Sequence, residues 1–161
     1  MEESILVKNM LVESADKLVN VSETSIKEYV ENMDLLVATL NGAMLKREDI
    51  LELIGGKNNI TMMKNNHHSH LQFIAAILQV PDSEMLVDTL LWVFRAFMSR
   101  GFGPNYWEVQ ISTLTLLMKE NVSEKAFIEI SNIYNWMNSN INTFTMIADE
   151  QLGKSKIQLH G

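Results

Sequence analysis

The chain has no cysteine. That excludes disulfides, thiolate metal sites and cysteine nucleophiles together, and it accords with a reducing, cytoplasmic location. Only two prolines and seven glycines punctuate 161 residues, so long uninterrupted elements are expected. No run is long and apolar enough to span a membrane. The start, Met1-Glu2-Glu3-Ser4, lacks the basic residues and apolar stretch of a signal peptide. Basic side chains are few, 13 against 20 acidic ones, for a formal net charge of −7. An acidic surface repels phosphates, so nucleic acid is not an expected partner. No segment alternates with period two, which leaves no strand to predict.

What remains is ordinary for a globular domain, with 47% hydrophobic and 20% charged residues. The length suits one domain with a real core. Eleven methionines suggest either an interior that adapts to a flexible apolar guest or simply a methionine-rich core.

The apolar spacing is helical throughout. Residues 4–20 predict a first short helix. Ser25 and Glu28 stand at capping-box spacing and predict a second, carried by Ile26 to Leu40 and ended by Gly42. A short charged helix spans Leu45 to Ile54, stopped by Gly55-Gly56. A long helix follows from about Asn59 to Val80. Pro81, with Asp82 or Ser83 as cap, starts the next, which ends at Gly101. Pro104-Asn105 restarts the chain, with Glu108 at cap spacing from Asn105. Ser123 caps a last helix expected to reach Glu150. After Gly153 the chain reads as a short frayed tail, 154–161, behind a domain of residues 1–153. The expectation is an all-α domain of about seven helices, without internal repeat. The order and lengths fit a globin-like arrangement better than a four-helix bundle.

Two stretches carry polar groups where helices should bury themselves. In Asn65–Leu78, His67 falls on the apolar stripe of Met63, Leu71 and Ile74, and His70 lies beside it. These imidazoles suit a haem ligand, a metal pair or the lining for a ligand head group. They suit equally histidines that simply hydrogen-bond to neighbours. In Met85–Arg100, Arg95 sits between Phe94 and Phe97. A buried arginine needs an anionic partner, and Asp88 is a candidate. Alternatively, Glu84, Asp88, Arg95 and Ser99 form one solvated stripe. If Arg95 is buried, it can greet the head group of an acidic apolar ligand. Burying about ten methylenes is worth roughly 8 kcal/mol gross, much of it offset by lost ligand freedom. A charge-assisted bond would then set orientation and affinity. Arg100, near the helix end, also complements the helix dipole. No nucleophile elbow and no serine–histidine–acid signature is present, and no enzymatic activity is expected.

The run Asn66-His67-His68-Ser69-His70-Leu71, the Val87-Asp88 pair followed by Trp92, the Arg100-Gly101 end and the seven-helix length together resemble a known family. It is that of the non-haem globin sensor domains of Bacillus sporulation histidine kinases. More closely, the chain resembles the small plasmid-encoded sporulation-inhibitory proteins of Bacillus anthracis, which are free-standing copies of such a domain. The resemblance runs over nearly the whole chain. It implies a homodimeric globin fold without haem, and a hydrophobic tunnel for a fatty acid whose carboxylate meets an arginine and a chloride ion. The implied role is titration of a signal that would otherwise activate the kinase. Carried onto this sequence, the arginine is Arg95, with Arg47 and Arg100 as rivals; His67, His70 and Trp92 complete the ligand-binding candidates. A chain of this length leaves no room for a kinase module, so competition for ligand or for partner is the expected mode of action. The dimer is expected on the last two helices, Trp107–Met118 and Phe127–Ile147. Two rival readings stand beside this one. The first is a haem-binding sensor with His67 or His70 as axial ligand. The second is an interaction module that inhibits a kinase by mixed dimerisation. Histidines near a carboxylate would also make affinity depend on pH between about 5 and 8.

Overall fold

The computed structural model describes residues 2–160, with side chains placed for residues 3–153. The described residues form nine α-helices and no strand. They are α1 (Glu2–Asp16), α2 (Glu23–Glu31), α3 (Met33–Leu45), α4 (Ile50–Ile54), α5 (Ile60–Gln79), α6 (Ser83–Ser99), α7 (Tyr106–Asn121), α8 (Glu124–Ser139) and α9 (Ile141–His160). A single 3-10 turn, Lys57–Asn59, precedes α5.

The all-α expectation holds, but two helices read as continuous are each divided. The segment ascribed to one helix up to Leu40 breaks at Asn32, and Gly42 lies inside α3. The segment from Ser123 to Glu150 breaks at Asn140. Both breaks use the same device. The side-chain amide of Asn32 donates to the Glu28 carbonyl (2.8 Å), and that of Asn140 donates to the Trp136 carbonyl (2.8 Å). An amide side chain that takes the carbonyl four residues back competes with helix propagation. Beyond Gly153 the helix continues to His160 and no break marks a tail.

Helix starts follow the sequence where a short polar side chain precedes an apolar run. Asp82 Oδ1 accepts from Met85 N–H (3.0 Å) and caps α6; Ser123 Oγ accepts from Ala126 N–H (3.2 Å) and caps α8. The cap of α2 is Ser22 rather than Ser25. Glu28 turns away from its own helix start and accepts from Ser123 N–H and Oγ–H on α8 (3.2 and 2.7 Å). Glu129 of α8 in return accepts from Ser22 and Ser25 at the start of α2. Each helix thus braces the other's N-terminus. Asn105 makes no side-chain cap bond to α7. Asp82→Ala is expected to cost about 1 kcal/mol and to lower Tm by roughly 2–4 °C. An unchanged thermal midpoint would show that the α6 cap carries no weight.

The helices form two packed groups. Helices α2, α3, α5, α7 and α8 contact one another, and α1, α6 and α9 form the second group, with α6 lying along α9 and α1 across α6. An aromatic seam joins the groups. Phe94 of α6 stacks on Trp107 of α7 (ring centroids 4.5 Å apart) and on Phe144 of α9 (5.3 Å), and Phe97 tilts against Phe102 and Trp107. These rings are buried. Consecutive helices α5 and α6 belong to different groups.

Candidate functional site

A cavity lies between α5 and α6. Its floor comes from α7 (Trp107, Gln110, Ile111) and α8 (Met137), its walls from α5 and α6. The outer rim is Ser69, Phe73, Thr89 and Val93, which are exposed or half-buried. At the inner end lie Asn66, His70, Phe94, Trp107 and Gln110, all buried. The cavity has a volume of about 60 Å³, room for a few waters and well short of the several hundred Å³ that a drug-sized ligand occupies.

The apolar spacing of α5 brings His67 and His70 inward, as the sequence indicated. Their situations differ. His67 is fully buried. Asn41 Oδ1 lies 2.6 Å from its Nδ1, and Tyr106 Oη lies 3.3 Å from its Nε2. An amide oxygen only accepts, so the neutral imidazole carries its proton on Nδ1 and accepts from the Tyr106 hydroxyl on Nε2. Both ring nitrogens are committed within the core, which leaves His67 no free valence for a ligand. Burial, with the neighbouring His70 as a smaller contribution, pushes its pKa down to about 3. His70 lines the cavity and tilts against the Tyr134 ring (5.7 Å). Its Nε2 is buried without a hydrogen-bond partner. Burial holds its pKa at about 4.

Around the histidines the core is unusually polar. Asn66 Nδ2 donates to Gln110 Oε1 (3.3 Å), and the hydroxyls of Tyr29 and Tyr134 share a hydrogen bond of 2.7 Å. Burial raises the pKa of Tyr29, Tyr106 and Tyr134, so all three stay neutral. Among the described residues, the other buried side-chain nitrogen or oxygen without a partner is Trp107 Nε1, in a side chain that lines the same cavity as His70. Nothing in the sequence marked Trp107 or Gln110 for this role. Gln110 on the buried stripe of α7, between Trp107 and Leu114, was the available signal.

The arginines and Trp92 are elsewhere. The buried stripe of α6 is Leu86, Val87, Leu90, Leu91, Phe94 and Phe97. Arg95, one residue on from Phe94, is rotated away from it. It is half-buried against α9, where its Nη1 donates to Gln151 Oε1 (2.9 Å). Asp88 pairs with Lys8 of α1 (2.6 Å), not with Arg95. Trp92 is 59% exposed. Arg100 is exposed at the end of α6, and its carbonyl accepts from Asn59 Nδ2 (2.9 Å). Arg47 forms a two-pronged pair with Asp49 (2.9 and 3.0 Å). The structure therefore brings His70 to the cavity and sets Arg95, Arg100, Arg47 and Trp92 apart from it. No lysine or arginine lines its wall, so an arginine–carboxylate–chloride arrangement has no counterpart there.

A larger hollow, about 220 Å³, lies between the end of α1, the α5–α6 turn and α8. Its rim carries Asp16, Asp82 and Glu129, which disfavours an acidic head group. The Oε atoms of Glu129 are already engaged by Ser22 and Ser25. Among the described residues, the buried side-chain atoms without partners, His70 Nε2 and Trp107 Nε1, sit in side chains that line the smaller cavity. Among the described residues no cluster of three or more His, Asp or Glu stands ready to hold a metal ion. The chain matches no protein-family model, no curated protein and no solved structure.

Proposed function

We propose that the chain is a globin-like sensor domain that binds a fatty acid and restrains sporulation by withdrawing that signal from a sensor histidine kinase. One observation carries the ligand-binding part. Consecutive helices α5 and α6 wall a mainly apolar cavity, and two of the side chains that line it, His70 and Trp107, each carry a buried nitrogen without a partner. Apolar enclosure with a few converging polar groups is how proteins hold small amphipathic molecules. An acyl chain requires more room than the closed cavity has, so entry needs Phe73, Thr89 and Val93 at the rim to move apart. The fatty acid, the homodimer and the kinase come from the family resemblance.

A second reading, inhibition by mixed dimerisation, is favoured by the surface. Helix α1 presents Ile5, Leu6 and Met10 to solvent, and α6 presents Met85 and Trp92. The Lys8–Asp88 pair ties these two helices together.

Denaturing extraction of the purified protein followed by mass spectrometry separates the readings, with an absorption spectrum taken first. The expected result is one fatty acid per chain and no Soret band. Haem in the extract would move the function to gas or redox sensing through His70. A protein that is empty, and that takes up no added fatty acid, would overturn the ligand reading in favour of mixed dimers.

A further inference from the structure

The larger hollow, about 220 Å³, has an apolar floor and an acidic rim. Ile77 of α5, Leu86 of α6 and Ile133 of α8 form the floor, and all are buried. Leu18 and Val21, from the loop after α1, add half-buried apolar surface at the side. Apolar surface of this kind releases water when a guest covers it. The volume is below the roughly 300–1,000 Å³ of pockets for drug-sized molecules, so a fitting guest is small, with one ring or a short chain.

Every charged side chain that lines the hollow is acidic. Asp16, Asp82 and Glu129 are there, and no Lys, Arg or His is. The backbone field has the same sign. Helix α1 ends at Asp16 and α5 at Gln79, and neither has a base in its last turn. A helix C-terminus carries partial negative charge, so an acid there is disfavoured unless a cation answers it. The positive end of α6 is already met by Asp82 Oδ1, which accepts from Met85 N–H (3.0 Å). Hydrogen bonds from Ser25 and Ser22 hold the Glu129 carboxyl group below the usual carboxylate range. Lys125, one turn earlier on α8, acts on Glu129 without lining the hollow, and Lys17 beside Asp16 does not line it either. Among the described residues neither Asp16 nor Asp82 stands in an ion pair.

We infer that this hollow binds a small organic cation, its ammonium group at the acidic rim and its apolar body on Ile77, Leu86 and Ile133. The two halves of the site select against other guests. An anion meets charges of its own sign. A bare metal ion leaves the floor uncovered, and among the described residues no three acids or histidines stand close enough to hold one. An ammonium presents three donors. It takes the oxygens of Asp16 and the second oxygen of Asp82, which leaves the α6 cap intact. Because Asp16 and Asp82 are exposed, the charge strengthens binding modestly and salt screens it. The hollow shares no lining residue with the cavity between α5 and α6, so this site is independent of the fatty-acid reading.

Phenethylamine, phenethyl alcohol and phenylacetate have similar apolar bodies and differ in charge. Each is titrated into the full chain and followed through backbone amide shifts by nuclear magnetic resonance. The expected result is saturable binding of phenethylamine with a Kd of about 1 mM or below, with shifts centred on Leu18, Leu86 and Ile133. The alcohol is expected to bind about threefold to tenfold more weakly, and phenylacetate more weakly still. Asp16→Asn with Asp82→Asn removes two charges and keeps the α6 cap, since an asparagine oxygen also accepts there. In that variant phenethylamine is expected to bind no better than the alcohol, whose own Kd is unchanged. Equal affinity of the wild type for amine and alcohol, or no saturable response to the amine up to about 10 mM, would overturn the inference. The same shifts produced by concentrating the protein alone would give the hollow to a second copy of the chain and overturn it as well. None of these outcomes bears on the fatty-acid reading, which the extraction decides.

Discussion

Taking the protein from pH 7 to pH 5 is expected to remove about 4 kcal/mol of stability through His67 and His70 alone. In the unfolded chain each imidazole binds its proton near pH 6.5. In the fold, burial holds the two at about 3 and about 4. Below 6.5 the unfolded state therefore carries more protons than the native one. The contribution of the neutral, buried imidazoles is complete above that pH and is lost progressively as pH falls towards the folded values. Between about pH 6 and pH 4 the slope approaches two protons, about 2.7 kcal/mol per pH unit. Domains are commonly stable by only about 5–15 kcal/mol, so this loss is a large share of the total. Urea titrations at pH 7, 6 and 5 measure the slope directly. His67→Gln with His70→Gln lowers stability at pH 7, because Asn41 and Tyr106 lose a partner, yet should flatten the dependence. Equal stability at pH 7 and pH 5 in the wild type would mean that the imidazoles are not held neutral by the fold.

The residues that fixed the histidines in the core were legible because helical spacing is a strong signal. Met63, His67, Leu71 and Ile74 share one face of α5, and all are buried. The same reasoning misplaced Arg95. Its neighbours in sequence, Phe94 and Phe97, are core residues, but on a helix the next residue points about 100° away. The stripe that matters for Arg95 is Asp88, Trp92 and Ser99, and all three are exposed. The alternative reading of Glu84, Asp88, Arg95 and Ser99 as one solvated stripe is the one that the exposure of Asp88 and Ser99 favours. The two helix breaks escaped notice for a related reason. Asn32 and Asn140 interrupt the backbone without interrupting the apolar period, so Tyr29 and Leu36 are both buried across the first break and Met137 and Ile141 across the second. Each stands among other polar residues, Asn32 beside Glu31 and Asp34 and Asn140 between Asn138 and Asn142, so neither marked a break.

The cavity itself was beyond reach of sequence reasoning. It exists because α5 and α6, adjacent in the chain, pack in different groups, and that depends on contacts of α5 with α3 and of α6 with α9. Such long-range pairings leave no local signature. Trp107 looked like core and is core; only the absence of a partner for its Nε1 distinguishes it.

Gly55→Ala is expected to cost at least about 3 kcal/mol, whereas Gly42→Ala is expected to stabilise by about 0.5–1 kcal/mol. Gly55 ends α4 with φ +80, a left-handed conformation that costs an L-residue about 1–2 kcal/mol. The larger cost is steric. A Cβ at Gly55 would lie 2.3 Å from the Gly101 carbonyl oxygen and 2.6 Å from its carbon. Neither backbone has freedom to retreat. Gly103 N–H donates to the Leu53 carbonyl (2.8 Å), and Asn59 Nδ2 bridges the carbonyls of Ile54 (2.7 Å) and Arg100 (2.9 Å). Gly101 is itself left-handed, with φ +99. Accommodating one methyl group means breaking bonds that fix the end of α6, the helix that walls the cavity. Gly42 sits in α3 with nothing within 4 Å of an added Cβ, so alanine there only reduces the freedom of the unfolded chain. Gly56→Ala is a comparison without the steric clash, at φ +121 and ψ 167, a backbone conformation that disfavours alanine more than that of Gly55 but with open space around the added atom. Urea midpoints at constant m-value rank the three. A loss at Gly55 of only the about 1–2 kcal/mol that its backbone conformation costs would show that the α4–α6 contact yields, and that the end of α6 is not held by it.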